Sequence, residues 1–248
     1  MLDFAPGLQV RGTALHQRLS DYRLIAFDMD STLIAIETVD ELADLAGCRA
    51  AVEAITEAAM RGEISDYKES LRQRVALLAG LPEAALAEVY ERRLRLNPGV
   101  QALIGACKAA GLRCILVTGG FTCFTDRLQA RLGLDDVRAN VLEVVGGRVT
   151  GRLLPQPWGD IVDGEEKKRK LLAVCAEMGI APAQAIAMGD GANDLPMMGA
   201  AGLAVAYRAK PVVRAQADVA INEGGLDRLL EVLDPASVAS VASVAGVP

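Results

Sequence analysis

Residues 25–42 read IAFDMDSTLIAIETVDEL, an apolar run that ends on two carboxylates, Asp28 and Asp30, one residue apart. In an extended strand, residues two apart point to the same side, so both acids converge where the run leaves its sheet. A calcium loop starting at Asp28 is excluded, because the positions that need Gly and Glu hold Leu33 and Val39. A second apolar run, AIAMGDGANDLPMM, ends in Gly189-Asp190-Gly191 and is followed by Asn193 and Asp194. Its fit to a dinucleotide loop is superficial: Asp194 replaces the third glycine and sets a negative charge where a pyrophosphate would approach the helix. Two strand ends carrying acids instead suit a divalent cation held by oxygen ligands, and Mg²⁺ suits such a site when a substrate phosphate completes it.

Two further stretches can serve an anion. In VTGGF, 117–121, Thr118 offers a hydroxyl, while Gly119 and Gly120 let backbone N–H groups approach a phosphate oxygen at a helix start. Alone, a Gly-Gly passage from strand to helix is only a turn. In GEEKKRK, 164–170, Glu165 and Glu166 suit a helix N-terminus, and Glu165/Arg169 and Glu166/Lys170 are spaced to pair on a solvated face. A site that gathers several carboxylates and a phosphate still needs a fixed cation, since each like-charge pair at ~4 Å and an effective dielectric of ~20 costs about 4 kcal/mol. Spacing within the charge run does not choose among Lys167, Lys168 and Lys170.

These stretches must be positioned by strands and helices. Short apolar runs at 24–27, 114–117, 185–188, 203–206 and 219–221 alternate with helical patterns at 100–110, 121–132, 165–178 and 226–233. The alternation predicts a doubly wound, Rossmann-like α/β core with a parallel sheet. Ligands of such sheets bind at the carboxyl edge, where the acids lie. Residues 38–96 break the rhythm: they are helical in composition without a buried strand, and predict a small helical cap inserted after the first core strand. The core is expected to comprise 1–37 and 97–233, with Asn97-Pro98-Gly99 marking the return to it. Residues 139–154, two β-rich stretches around Gly146-Gly147, predict a hairpin. The Ala/Ser/Val tract of 234–248 reads as a flexible tail.

Composition narrows the class. The 248 residues, 52% hydrophobic and 4% aromatic, suffice for a substantial core, and the net charge of −6 argues against nucleic-acid or acidic-membrane partners. Five cysteines with no CxxC pair, and a lone His16, make a zinc cluster or disulfide framework a poor fit. With no secretory leader pattern and no apolar run approaching ~18 residues, the expected compartment is the cytoplasm. The 23 residues before Leu24 are too few for a regulatory domain.

DMDST, VTGGF, GEEKKRK and GDGAND together resemble, in order and spacing, the haloacid dehalogenase superfamily of phosphatases, and within it the branch acting on phosphoserine. The resemblance runs over nearly the whole chain from Leu24. It implies Asp28 as nucleophile, Asp30 as acid/base and Lys167 as the cation of the charge run. It implies Mg²⁺ on the side chains of Asp28 and Asp190 and the carbonyl of Asp30. Thr118, where the family usually has Ser, would bind the phosphoryl group with Gly119, Lys167 and Asn193, and Asp194 would orient Lys167. The implied partner is a small phosphate ester, L-phosphoserine, hydrolysed in serine synthesis. Glu37 would take its ammonium, Arg74 its carboxylate, and Met60 and Tyr67 would form the apolar wall over it. Without the resemblance, Glu37 reads as a helix N-terminal acid, Arg72 and Arg74 as solvated helix charges, and Met60 and Tyr67 as core. Transfer of the phosphoryl group to another alcohol such as homoserine, hydrolysis of another small ester, and a phosphoamino-acid binder without catalysis are the rival readings.

Overall fold

The computed structural model describes residues 1–233 except Gly62 and Ser65, with all of their side chains but those of Thr13 and Met60. The expected tail at 234–248 and the expected wall contact of Met60 lie outside the described residues. In chain order the strands are β1 Leu2–Ala5, β2 Leu8–Val10, β3 Leu24–Phe27, β4 Arg113–Phe121, β5 Asp136–Val145, β6 Arg148–Leu154, β7 Ala185–Gly189, β8 Leu203–Tyr207 and β9 Val219–Ile221. The helices are α1 Thr38–Leu45, α2 Arg49–Met60, α3 Tyr67–Ala76, α4 Ala84–Glu88, α5 Val100–Ala109, α6 Thr122–Leu132, α7 Gly164–Met178, α8 Leu195–Ala200, α9 Pro211–Arg214 and α10 Leu229–Leu233.

The strands form one sheet in the order β1-β2-β9-β8-β7-β3-β4-β5-β6. From β9 to β5 every neighbouring pair is parallel; β1, β2 and β6 are antiparallel additions at the two edges. The expected doubly wound core is therefore present. From β3 the chain moves outward to β4 and β5, and it later fills the other side from β7 to β9. The switch point falls between the carboxyl ends of β3 and β7, where a crevice opens in folds of this kind.

Both faces of the central strands are covered, which explains their unbroken apolar sequence. Leu24 and Ala26 of β3 share one face with Ala185, Ala187, Ala204 and Ala206, against Leu171 and Val174 of α7 and Met197 of α8. Ile25 and Phe27 share the other face with Ile186, Met188 and Val205. The small side chains of the first face bring α7 close to the sheet, and with it the charge run at its N-terminus.

The two connections between sheet and inserted helices lie side by side: Ala35 N donates to Arg95 O at 2.9 Å and Asn97 N to Leu33 O at 2.9 Å. Asn97 does more than mark a turn, for its Nδ2 reaches Thr32 O at 2.8 Å and Ile34 O at 3.1 Å. The β5–β6 hairpin hydrogen-bonds to the inserted segment, with Gly80 N on Val149 O at 2.8 Å and Glu83 N on Gly147 O at 2.9 Å. Sequence reading assigned no element to the first residues, yet β1 and β2 form a hairpin on the edge of β9. Its signal is Pro6-Gly7, with Gly7 at φ +70° in the left-handed region that glycine tolerates.

Candidate active site

Asp28 follows the last residue of β3, and its N–H donates to Met188 O of the neighbouring β7 at 2.9 Å. The carboxylate reaches Lys167 from α7: Nζ lies 2.5 Å from Asp28 Oδ1 and 2.6 Å from Asp194 Oδ1. Lys167 and Asp194 are fully buried and Asp28 is 5% exposed. The remaining oxygen of Asp194 accepts from the N–H groups of Asp190 at 3.2 Å and Gly191 at 3.0 Å. Burial lowers the proton affinity of Lys167, but Asp194 and Asp28 outweigh it and hold the ammonium charged. One cation does not balance the acids around it. Burial, then Asp194 and Asp190, push Asp28 up to about 8 against the pull of Lys167, and burial, Asp194 and Glu37 push Asp190 up to about 7.

The chain turns sharply after Asp28. Ser31 takes a left-handed conformation, φ 56°, which for a non-glycine residue costs roughly 1–3 kcal/mol and is held only by its surroundings. That turn directs the Ser31 hydroxyl to Glu37 Oε1 at 2.7 Å and the Asp30 carboxyl to the start of α1. There Thr38 donates twice, N to Oδ1 at 3.1 Å and Oγ1 to Oδ2 at 3.2 Å. Burial, then Glu37 and Asp28, nevertheless raise Asp30 well above the ordinary carboxylate range. Thr38 was not singled out by sequence; a threonine eight residues after Asp30 carries no signal until the turn is known.

Thr118, Gly119 and Gly120 differ from their expected role as a strand-to-helix turn. Strand β4 continues through them to Phe121, which pairs with Asn140 of β5, while Val117 pairs with Arg138. Three residues therefore bulge opposite one, and α6 starts only at Thr122. The Tyr67 hydroxyl of α3 lies where a Cβ on Gly119 would stand, so only glycine allows this approach. Asn140, the one amide side chain of β5, donates to Gly119 O at 2.8 Å.

Lys167 is separated from its neighbours by helix phase. It shares the stripe of Leu171, Val174 and Cys175, at i+4, i+7 and i+8, and is buried with them. Lys168 lies 4.0 Å from exposed Glu165, and Lys170 pairs with Asp136 at 2.5 Å. The expected i,i+4 pairs of this helix are absent among the described residues: Glu166 is buried and held by Arg138 and Arg169. Of the two α3 arginines, Arg72 pairs with exposed Asp160, whereas Arg74 donates from Nε to Ser70 O at 3.3 Å, makes no ion pair among the described residues, and acts by its charge on Asp40, Tyr67 and Glu37. Asn193 stands in the turn after Asp190 with its Oδ1 against Gly191 and no side-chain hydrogen bond among the described residues. Lys210, missed in sequence, donates from its backbone N to Asp190 O at 3.2 Å, and its charge reaches Asp190 and Glu37.

Carboxylate oxygens of Asp28, Asp190 and Asp194 lie within 4.8 Å of one another. The donor set fits a hard divalent cation: all are oxygens, all are largely buried, and the acids outnumber the one lysine among them. Asp194 has both oxygens engaged, by Lys167 and by two N–H groups, whereas Asp28 has its Oδ2, and Asp190 one oxygen, without such a partner among the described residues. Asp28 and Asp190 are thus the side chains best placed to hold the ion.

Residues 25–199 match the family model for haloacid dehalogenase-like hydrolase. The chain is 67% identical over 231 residues to a phosphoserine phosphatase of a Polaromonas species, covering 93% of this chain and 98% of that one. It is 62% identical over 231 residues to a phosphoserine phosphatase of Albidiferax ferrireducens, with the same 93% and 98% coverage. A solved phospho-aspartyl intermediate analogue of a phosphoserine phosphatase superposes with a TM-score of 0.78 at 35% identity, covering 86% of this chain and 99% of that one. By motif, architecture and this similarity, the chain belongs to the haloacid dehalogenase-like hydrolase family.

Proposed function

We propose that the chain is a Mg²⁺-dependent phosphomonoesterase that hydrolyses L-phosphoserine to serine and inorganic phosphate, the closing reaction of a serine synthesis in the cytoplasm. The observation that carries the reading is the convergence, at the β3/β7 switch point, of the Asp28 carboxylate, the fixed ammonium of Lys167 at 2.5 Å, and a second carboxyl, Asp30, whose proton is held by burial. The names of the relatives support the same substrate.

In this reading an oxygen of Asp28 attacks phosphorus, and the bond from phosphorus to the serine oxygen breaks. An ionised carboxylate needs no base for this; Lys167 beside it and a bound Mg²⁺ would supply the positive charge that keeps Asp28 ionised against burial, and two displacements replace one difficult hydrolysis. The Asp30 carboxyl, oriented by Thr38, gives its proton to the departing serine oxygen. The resulting Asp30 carboxylate takes a proton from water, which attacks the aspartyl-phosphate and restores Asp28. Lys167, the Thr118 hydroxyl, the Gly119 backbone and Asn193 bind the transferring oxygens, with Asp194 orienting Lys167, and a preorganised charge of this kind stabilises the transition state without reorganisation. Mg²⁺, on Asp28, Asp190 and the Asp30 carbonyl, would supply Lewis-acid charge at the phosphoryl oxygen.

We assign residues 38–96 as the cap that closes the amino-acid end of the site, with Glu37 facing the substrate ammonium, Arg74 its carboxylate, and Tyr67 with Met60 the wall. The Ser31 bond to Glu37, and the guanidinium of Arg74, which donates only to Ser70 O and makes no ion pair among the described residues, support this. The test is phosphate release from a panel of phosphorylated metabolites with Mg²⁺ and with EDTA. Release from phosphoserine in preference to other esters, and only with the metal, is expected; a folded, metal-loaded protein that leaves phosphoserine intact overturns the reading.

A further inference from the structure

The jump in β4–β5 pairing, from Val117↔Arg138 to Phe121↔Asn140, pushes Thr118, Gly119 and Gly120 out of the sheet. A bulge of that size strips backbone groups of their ladder partners, and each buried one needs a substitute. Asn140 supplies one such substitute, for Gly119 O, and also satisfies Val162 N in the loop before α7. It is 1% exposed, donates from Nδ2 to Gly119 O at 2.8 Å, and accepts on Oδ1 from Val162 N at 2.9 Å. Its amide has only one workable orientation, because the carbonyl must accept and the N–H must donate.

The peptide between Gly119 and Gly120 is trans, so fixing the Gly119 carbonyl aims the Gly120 N–H the opposite way. That N–H donates to Thr118 Oγ1 at 2.9 Å. A hydroxyl that accepts there must turn its own proton elsewhere, and among the described residues no protein atom receives it. On the other flank, Val162 precedes Asp163, whose side chain caps α7 and whose carbonyl accepts from Lys167 N at 2.9 Å. One amide thus ties the Thr118 bulge to the start of the helix that carries Lys167.

Resting on the phosphatase reading above, we propose that Asn140 is a positioning residue for phosphoryl transfer. Through the Gly119–Gly120 peptide it presents the Thr118 hydroxyl as a hydrogen-bond donor to the phosphoryl group, and it holds that donor in register with Lys167. Asn140 itself touches no substrate.

Asn140→Asp keeps the shape and the bond from Val162 but sets an oxygen against the Gly119 carbonyl; Asn140→Ala removes both bonds. Each is expected to lower kcat/KM about ten- to a hundredfold, the scale of one misdirected donor. Phosphoserine and p-nitrophenyl phosphate should suffer alike, since both share the phosphoryl group. A double-mutant cycle with Thr118→Val separates positioning from general damage. Asn140→Asp in the Thr118→Val background should cost less than about twofold more, because the hydroxyl through which it acts is gone. Full multiplication of the two single effects overturns the proposal, as does a folded Asn140→Asp enzyme with native kcat/KM.

Should both Asn140 variants fail to fold, hydrogen exchange in the native protein decides. Protection of the Asn140 side-chain amide and the Gly120 N–H is expected, and exchange of both at the rate of exposed amides overturns the relay. A wild-type protein that hydrolyses no phosphate ester contradicts the phosphatase reading itself, whereas multiplicative losses in an active enzyme contradict only the role of Asn140.

Discussion

Lys167 and Asp194 form a buried ion pair with Nζ 2.6 Å from Oδ1, and neither side chain reaches solvent. Asp194 also caps the N–H groups of Asp190 and Gly191 with its other oxygen, so an asparagine there must set its NH₂ against either the ammonium or those donors. Breaking a buried pair from one side typically costs about 3–5 kcal/mol, because the remaining charge stays buried without its partner. Asp194→Asn is therefore expected to lose stability on that scale in denaturant titrations and to lose activity with it. A change below about 1 kcal/mol, the size of an exposed pair, would show that Lys167 is held by Asp28 alone.

Asp30 is assigned the proton transfers and not the attack. Asp30→Asn should still form the phosphorylated enzyme but release it slowly, with a steady-state loss of roughly 10²- to 10⁴-fold, the usual effect of a missing acid/base. Rapid-quench measurement of phosphoenzyme and free phosphate separates the two steps. Unchanged burst and steady-state rates would move the proton transfers to another group.

The raised carboxyls set a pH and metal dependence. Folded Asp28 and Asp190 hold their protons to about 8 and about 7, against the ordinary 3.8, so the folded chain binds more protons than the unfolded one between those values. Their contribution to stability is full below about 3.8, declines as pH rises from there, and is gone once pH has passed through about 7 to 8. A divalent cation held by these carboxylates would take the place of the lost protons. Calorimetry of the metal-free protein should show stability falling between about 3.8 and about 8, and Mg²⁺ should restore it at the upper end of that range more than at acid pH, by about 2.7 kcal/mol at a hundredfold excess over its Kd. A melting temperature indifferent to Mg²⁺ at both ends would contradict the cation site.

The two α3 arginines make an internal control for substrate choice. Arg72 is tied to Asp160 at the surface, while Arg74 has no ion-pair partner among the described residues and its charge acts on Asp40, Tyr67 and Glu37. Losing a charged hydrogen bond to substrate costs about 1.5–3 kcal/mol, so Arg74→Ala should reduce kcat/KM for phosphoserine roughly ten- to a hundredfold. It should spare p-nitrophenyl phosphate, which has no carboxylate, and Arg72→Ala should spare both. Equal losses on the two substrates would make Arg74 a structural residue.

Much of this architecture was legible because burial on both faces writes itself as an unbroken apolar run. The expected bounds of β3 and β9 coincide with the observed ones, and β7 and β8 each extend one residue further. What remained hidden depends on neighbours distant in sequence. The bulge at Thr118 exists only against the register of β5, so VTGGF alone reads as a strand ending at Val117. The expected Glu166/Lys170 pair failed because Glu166 of α7 turns inward to Arg138 of β5. Lys167, by contrast, could have been chosen without the family: extending the apolar stripe of Leu171, Val174 and Cys175 back by one turn lands on it. Asn140 had a signal too, a lone amide within DVRANVLEVV, but its partners are 21 and 22 residues away.

The proposed mechanism requires that a carboxylate oxygen of Asp28 take the phosphoryl group. The most direct test is an acid quench of the enzyme during turnover of phosphoserine carrying radiolabelled phosphate, followed by peptide mapping. Label is expected on the peptide that contains Asp28, stable in acid and lost in alkali as an acyl phosphate is, and none is expected in Asp28→Asn, which should be folded and inactive. Turnover at the native rate in an Asp28→Asn preparation shown to be free of deamidation, or label on a residue other than Asp28, would contradict it.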